Sequence, residues 1–250
     1  PPLLFGDAAR SQYGKRPSSA WAWRFCPKLC YTDHMTENDL RQQLIDHARA
    51  TVTMGLTQGT SGNVSARCEG AMLITPSGVP FEKLEPAMIA RMPLDGDGAW
   101  QGPLKPSSEW RFHLDILKAR ADVQAIIHAH STYCTVHSIL HRPIRAVHYM
   151  IAALGGSEIL CTDYAPYGTP ELSELAVAGL GARHAVLLGN HGMIVTGSDL
   201  EEALSRAVEL ETLAKQSYLA SLAGAPVILP DDEIERIIER FKTYGRNAQA

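Results

Sequence analysis

The sequence predicts an α/β fold, and three observations carry that prediction. Segments with helical spacing alternate with short apolar strands along most of the chain. Apolar residues make up 45% and charged residues 20% of the 250 positions, which suits one large globular domain with a full core. No G-x-G-x-x-G turn follows the first strand, so a dinucleotide-binding arrangement has no support.

Residues 1–34 stand outside this pattern. They carry Pro17, Ser18 and Ser19, the cluster Trp21, Trp23 and Phe25, and five Lys or Arg against two Asp, with no sustained period. They lack a contiguous apolar core of signal-peptide length, which argues against secretion. The expectation is a disordered or non-native leader, with a transit segment as the second reading. The folded domain is expected over 35–246, with a short tail over 247–250. Cys26 and Cys30 have no partner pair of Cys or His nearby in sequence, so a metal site is not assigned to them.

The elements of the domain follow in order. Thr36 is a good N-cap with Asp39 in the first turn, and Leu40, Leu44, Ala48 and Val52 then recur at helical spacing until Gly55. Residues 58–63 form turns, and 64–67 and 71–75 read as strands. Ser107 is expected to begin a helix, with Glu109 in its first turn and Trp110, Leu114 and Leu117 on one face. Residues 123–128 read as a buried strand, 132–140 as a short helix, 159–162 as a short strand, 171–180 as a helix and 185–188 as a strand. Ser198 with Glu201 reads as a capping box for a long helix ending near Ala223. Pro230 precedes a last helix over 231–243.

Composition excludes several functions. Lys plus Arg total 23 and Asp plus Glu 27, a formal charge of 23 − 27 = −4, which is poor for gripping nucleic acid through its phosphates. No apolar run reaches the roughly 18 to 20 residues that cross a bilayer. Five cysteines, an odd number, argue against a disulfide framework and for a reducing compartment, so the expected location is cytoplasmic.

The chemistry gathers on histidines and one glutamate. His128 and His130 sit two apart at the end of a strand, where residues i and i+2 share a face. His191 also follows an apolar strand, and Gly192 after it is expected to let the backbone turn sharply. Three imidazoles with an open fourth position are the pattern of a catalytic metal site. Glu109 reads locally as a partner of the helix dipole, and a carboxylate near a divalent ion can also serve as ligand or base. The loops Gln58-Gly59-Thr60-Ser61-Gly62-Asn63-Val64-Ser65 and Thr75-Pro76-Ser77-Gly78 mix hydroxyl residues with glycine, and Ser107 and Ser108 offer two more hydroxyls at a helix start. Such loops can present donors to phosphate. Neither is a P-loop, and no Lys or Arg run suits a polyphosphate, so a single phosphomonoester fits better.

Together these segments resemble the class II aldolase/adducin-head family. The resembling pieces are QGTSGNVSAR, MLITPSGVPFEKL, KPSSEWRFH, IIHAHSTYCTVHSIL, HYMIAALGG, YAPYGTPELSE, LLGNHGMI and FKTYG, in family order from about Met35 to Arg246. The resemblance implies a single-domain three-layer fold with a central, mainly antiparallel sheet flanked by helices. It implies zinc held by His128, His130 and His191, with Glu109 as a fourth ligand that leaves to become the acid/base. It implies phosphate held by Thr60, Gly62, Asn63, Ser77, Gly78, Ser107 and Ser108. It also implies a homotetramer with sites at subunit interfaces, Tyr149 reaching into the neighbour's site and Tyr244 in a closing C-terminal tail. Tyr167 stands in the expected aldehyde pocket, where other members carry Phe.

The activity so implied is reversible cleavage of a ketose 1-phosphate, such as L-fuculose 1-phosphate, to dihydroxyacetone phosphate and a small aldehyde such as L-lactaldehyde. Alternatives are an aldolase for 5-deoxyribulose or 5-methylthioribulose 1-phosphate, and a pentulose-phosphate 4-epimerase or methylthioribulose-phosphate dehydratase on the same scaffold. No nucleic-acid or membrane partner is expected.

Overall fold

The structure is a computed structural model and describes residues 35–243. Contacts divide the chain between Met35 and Thr36, and all described residues but Met35 lie in the second unit. Tyr244, Cys26, Cys30 and both expected terminal segments lie outside the described residues.

Helix α1 (Glu37–Thr53) starts where expected. Thr36 Oγ1 accepts from the Asp39 amide at 3.2 Å and Asp39 returns the bond by accepting from the Thr36 amide at 3.0 Å. That reciprocal cap uses two donors a helix start would otherwise leave unpaired. The helix buries Leu44, Ile45 and Ala48.

A six-stranded sheet follows, formed by β1 (Asn63–Cys68), β2 (Ala71–Ile74), β3 (Ala90–Pro93), β4 (Ala125–Ala129), β7 (Ala185–Leu188) and β8 (Gly192–Gly197). Its order is β3-β2-β1-β4-β8-β7, and every pairing is antiparallel. Strands β5 (Ile144–Arg145) and β6 (Glu158–Ile159) make a separate two-stranded ribbon. Strands β3, β5 and β8 were not expected. Strand β8 is bounded by glycine at both ends and follows directly on the His191 turn, so its apolar run Met193-Ile194-Val195 is short in sequence.

The sheet is apolar on both faces, and helices cover each. Val64, Ala66, Leu73, Ala125, Ile127, Ala129, Leu187, Met193 and Val195 pack with α1, α3 (Thr132–Ile139), α5 (Leu200–Ala223) and α6 (Asp231–Phe241). Met72, Ile74, Ile126, Val186, Leu188 and Ile194 face α2 (Trp110–Ala119) and α4 (Pro170–Leu180). The result is the three-layer arrangement that the resemblance implied. Burying each such aliphatic side chain contributes about 1.5–3 kcal/mol.

Three local expectations are corrected. Helix α2 begins at Trp110, so Glu109 is its N-cap residue rather than a first-turn residue, and its side chain caps nothing. Helix α5 is capped by Asp199, whose carboxylate accepts from the Glu202 amide at 2.7 Å. Glu202 in turn accepts from the Ser198 amide at 2.7 Å, one residue before the cap, so the helix start lies one residue later than the Ser198–Glu201 box expected and is not closed by a reciprocal box. A carboxylate is the stronger acceptor for amides that carry the helix's positive end. Of residues 159–162 only Ile159 lies in a strand, the two-residue β6, and Cys161 adds one parallel bridge to Leu187.

Candidate metal centre

The alternation of β4 decides where its histidines point. Ile126 faces the α2/α4 layer, so His128 faces it too, and His130 follows just past the strand's end. Asn63 lies opposite His128 in the β1–β4 register, and Ile194 lies opposite it on β8. His191 sits in the turn between β7 and β8. The N-cap of α2 brings Glu109 to the same place from the helical layer.

The four side chains converge. His128 Nε2 lies 3.0 Å from His130 Nε2 and 3.3 Å from Glu109 Oε2. His191 Nε2 lies 3.1 Å from Glu109 Oε1. The three ring centroids are 4.8–4.9 Å apart, and the candidate ligand atoms of the histidines all lie within 4.8 Å of one another.

Protons are distributed as a cation site requires. His128 Nδ1 is 2.9 Å from the Met193 carbonyl oxygen, which can only accept. Nδ1 therefore carries the hydrogen, and in the neutral ring the Nε2 lone pair faces His130 and Glu109. Glu109 Oε1 is buried and makes no hydrogen bond. Burial opposes ionisation of Glu109, and with His128 and His191 protonated their positive charge outweighs burial and holds the carboxyl well below the usual carboxylate range, so the carboxylate is matched to positive charge at this point. Burial, with His128 and His191 adding to it, lowers the pKa of His130 to about 4, so its ring is neutral near pH 7. Lone pairs aimed at one another, with a charged oxygen lacking a donor, fit a divalent cation among His128, His130, His191 and Glu109.

Supports outside the expected set hold the histidines. The Ser138 hydroxyl, near the end of α3, accepts from the His191 amide at 2.8 Å and donates to the Leu188 carbonyl. Glu211, on α5, accepts from the Ser131 hydroxyl at 2.7 Å and from the Tyr133 and Cys134 amides at 2.9 Å. It thereby caps α3 from another helix, directly after His130. The turn at His191 uses Asn190, at φ 53°, as its left-handed residue. Gly192 instead serves close approach, since a Cβ there would lie 2.5 Å from the Ala129 carbonyl oxygen and 2.8 Å from the His130 ring. These supports carry no sequence spacing of their own and were not expected.

A cleft of about 400 Å³ opens beside the four side chains. Thr60, Gly62, Asn63, Ser77, Gly78, Ser107 and Ser108 all line it, with Glu109, His130 and His191 on the same wall. The loops meet because the Ser77 amide donates to the Lys105 carbonyl and the Ser107 amide to the Thr75 carbonyl, at 3.2 and 3.0 Å. Gly62, at φ +79°, could not be replaced without a Cβ striking the His128 carbonyl oxygen at 2.7 Å. Tyr167 and the unanticipated Tyr164 line the rim, 71% and 60% exposed. Tyr149 stands elsewhere, at the start of a 3-10 helix (Tyr149–Leu154), and does not line this cleft.

The chain is similar over most of its length to known proteins. Residues 42–218 match the family described as Class II Aldolase and Adducin N-terminal domain. A 5-methylthioribulose-1-phosphate/5-deoxyribulose-1-phosphate aldolase from Rhodospirillum rubrum is 51% identical over 210 residues, which is 84% of this chain and 94% of that protein. An L-fuculose phosphate aldolase from Escherichia coli is 49% identical over 213 residues, 84% of this chain and 98% of that protein. Among solved structures, an L-fuculose 1-phosphate aldolase superposes with a TM-score of 0.80 at 41% identity, covering 84% of this chain and 99% of that one. Fold, converging histidines and relatives agree, and the chain belongs to the class II aldolase and adducin N-terminal domain family, as a lyase of the metal-dependent class II aldolase type.

Proposed function

We propose that this enzyme cleaves a ketose 1-phosphate reversibly to dihydroxyacetone phosphate and a small aldehyde, with zinc held by His128, His130, His191 and Glu109. One observation carries the reading: three mutually close imidazoles, two of them within 3.3 Å of a buried carboxylate, stand beside a cleft lined by hydroxyl and glycine loops. When bound, the zinc ion supplies Lewis-acid stabilisation for the negative charge left as the C3–C4 bond breaks.

The chain's own residues do the rest. The loops around Thr60, Gly62, Ser77, Gly78 and Ser108 hold the phosphate with neutral donors beside the N-terminus of α2. The Ser107 hydroxyl oxygen already accepts from Asn63 Nδ2 at 2.9 Å and from the Glu109 amide at 3.2 Å. Neither bond uses its own hydrogen, which remains for an anion. Glu109 leaves its resting contacts when substrate enters and moves a proton at C3. Its flanking position at the N-cap, with no capping bond to break, supports that movement.

Tyr149 of a neighbouring copy takes the C4 hydroxyl proton, directly or through water. Its 47% exposure and its place outside its own chain's cleft support work in another subunit of a homotetramer. Tyr244, in a C-terminal tail of the 35–246 domain, closes the site, and Tyr167 contacts the aldehyde end. A cytoplasmic location is proposed on the five cysteines, an odd number that fits a reducing compartment.

Two aldehyde preferences are in play. L-fuculose 1-phosphate releases a hydroxylated aldehyde, whereas 5-deoxyribulose or 5-methylthioribulose 1-phosphate presents an apolar end. The 51% identity to the Rhodospirillum rubrum protein favours testing the second alongside the first. The deciding experiment is a coupled assay for free dihydroxyacetone phosphate across these substrates, using zinc-loaded protein. Release from none of them, with epimerised or dehydrated sugar phosphate found instead, would replace the aldolase reading.

A further inference from the structure

The Glu109 carboxylate is oriented from inside the protein, through a residue that does not hydrogen-bond to it. Asn63 on β1 spends both hydrogens of its amide, one on Glu109 Oε2 and one on Ser107 Oγ, each at 2.9 Å. A carboxylate only accepts, so the Nδ2 end must face Glu109 and Oδ1 must face away. There Oδ1 meets Nε2 of His113, on α2, and that nitrogen must then carry the ring's hydrogen. His113 Nδ1 is left as the acceptor, and the Ser65 hydroxyl donates to it at 2.7 Å. The ring is 0% exposed, so water does not compete for these two bonds. Ser65, His113, Asn63 and Glu109 thus form a chain of donors running in one direction.

Asn63 also lines the cleft. While Glu109 accepts, the amide is fixed from two sides. Once the carboxylate moves away, as the proposed mechanism requires, Ser107 Oγ can accept from one end of the amide or donate to the other, so His113 decides which end faces the cleft. A reversed amide would turn its oxygen toward a phosphate dianion, and like-charged lone pairs repel.

We propose that His113 is a positioning residue: by donating to Asn63 Oδ1 it keeps the Asn63 amide hydrogens turned to the cleft, where they serve Glu109 in one stage and an anionic substrate oxygen in the next. The inference rests on the phosphate reading of the cleft.

Two substitutions separate this role from mere packing. The side-chain nitrogen of glutamine reaches about as far as Nε2, so His113→Gln keeps a donor for Asn63. His113→Asn is shorter and reaches only toward Ser65. Inorganic phosphate binding to the metal-loaded full chain is measured by calorimetry. Wild type and His113→Gln bind with similar affinity, and His113→Asn binds about tenfold more weakly, the size of one lost buried hydrogen bond. Equal weakening in both variants, or none in His113→Asn, overturns the proposal. A second reading uses the wild type alone: nitrogen-15 spectra of labelled histidines place the His113 hydrogen on Nε2, and finding it on Nδ1 overturns the proposal without any variant. Wild type that binds no phosphate would instead defeat the phosphate reading itself.

Discussion

His128 donates from Nδ1 to the carbonyl oxygen of Met193 across 2.9 Å, and this one bond aims the opposite nitrogen of the ring at His130 and Glu109. The backbone of β8 therefore orients a side chain of β4. Loss of a ligand itself should be worse than loss of such a support, which costs roughly 10- to 100-fold in metal affinity. His130→Ala and His191→Ala are each expected to release the metal on dialysis, with content read by atomic spectroscopy. Full occupancy in either would remove that histidine from the ligand set.

Glu109→Gln keeps the shape of the side chain and removes its basicity. Turnover should fall by about 10²- to 10⁴-fold, the usual worth of a positioned acid/base. Inorganic phosphate should still bind, since the hydroxyl loops are untouched. Near-normal turnover with metal loaded would assign the proton transfer to another group.

Gly192→Ala tests close approach. Its Cβ would meet the Ala129 carbonyl oxygen at 2.5 Å, and backbone cannot yield as a flexible side chain can. The expected loss is about 2–3 kcal/mol of stability together with weakened metal binding. Gly70→Ala is the contrast, with φ +63° but open space around it, so only about 1–2 kcal/mol of backbone strain should appear. Chemical denaturation of both variants makes the comparison.

Glu211→Ala removes the acceptor of three donors at the start of α3. Losing charge-assisted bonds to buried amides should cost about 3 kcal/mol. For a domain of this size that lowers Tm by roughly 6–12 °C, measured by calorimetry. An unchanged Tm would show that water replaces the carboxylate freely.

Acid should destabilise the fold partly through His113. Burial, with His128 adding to it and Glu109 opposing, lowers its pKa from 6.5 to about 3 in the folded chain. The unfolded chain then binds the extra proton between those values, so this stability is complete above pH 6.5 and is lost as pH falls toward 3. Between pH 6.5 and 5 the wild type should lose about 2 kcal/mol more than His113→Gln, which has no proton to take up. Urea titrations of both chains at the two pH values, with metal chelated, would reveal equal losses if His113 were already charged.

Much of this was legible in the sequence because it rests on local rules. Thr36 with Asp39 announces α1, and the two-residue step from His128 to His130 suggests a shared face, although β4 ends at Ala129, one residue before His130. The hydroxyl and glycine loops stand out in the sequence, and the structure brings all seven residues proposed for phosphate to one cleft. The supports were illegible for a common reason. Glu211, Ser138 and His113 act on partners 77 to 80, 53 and 50 positions away, so no short spacing marks them. Glu109 was misplaced by one turn position because a Ser-Ser-Glu start reads as a helix cap. Tertiary pull from the histidines took its side chain elsewhere. Ser198 was chosen over Asp199 because both residues can cap, and only the packing of α5 decides between them.

The candidate ligands come from three separate stretches of chain, at the α2 entrance, the end of β4 and the β7–β8 turn. β4 and its end supply two of the histidines, and only its pairing with β8 adds His191, so an intermediate that has not yet made that pairing holds an incomplete ligand set. Uptake during refolding must therefore trail the pairing of β4 with β8, and its onset can serve as a clock for completion of the sheet.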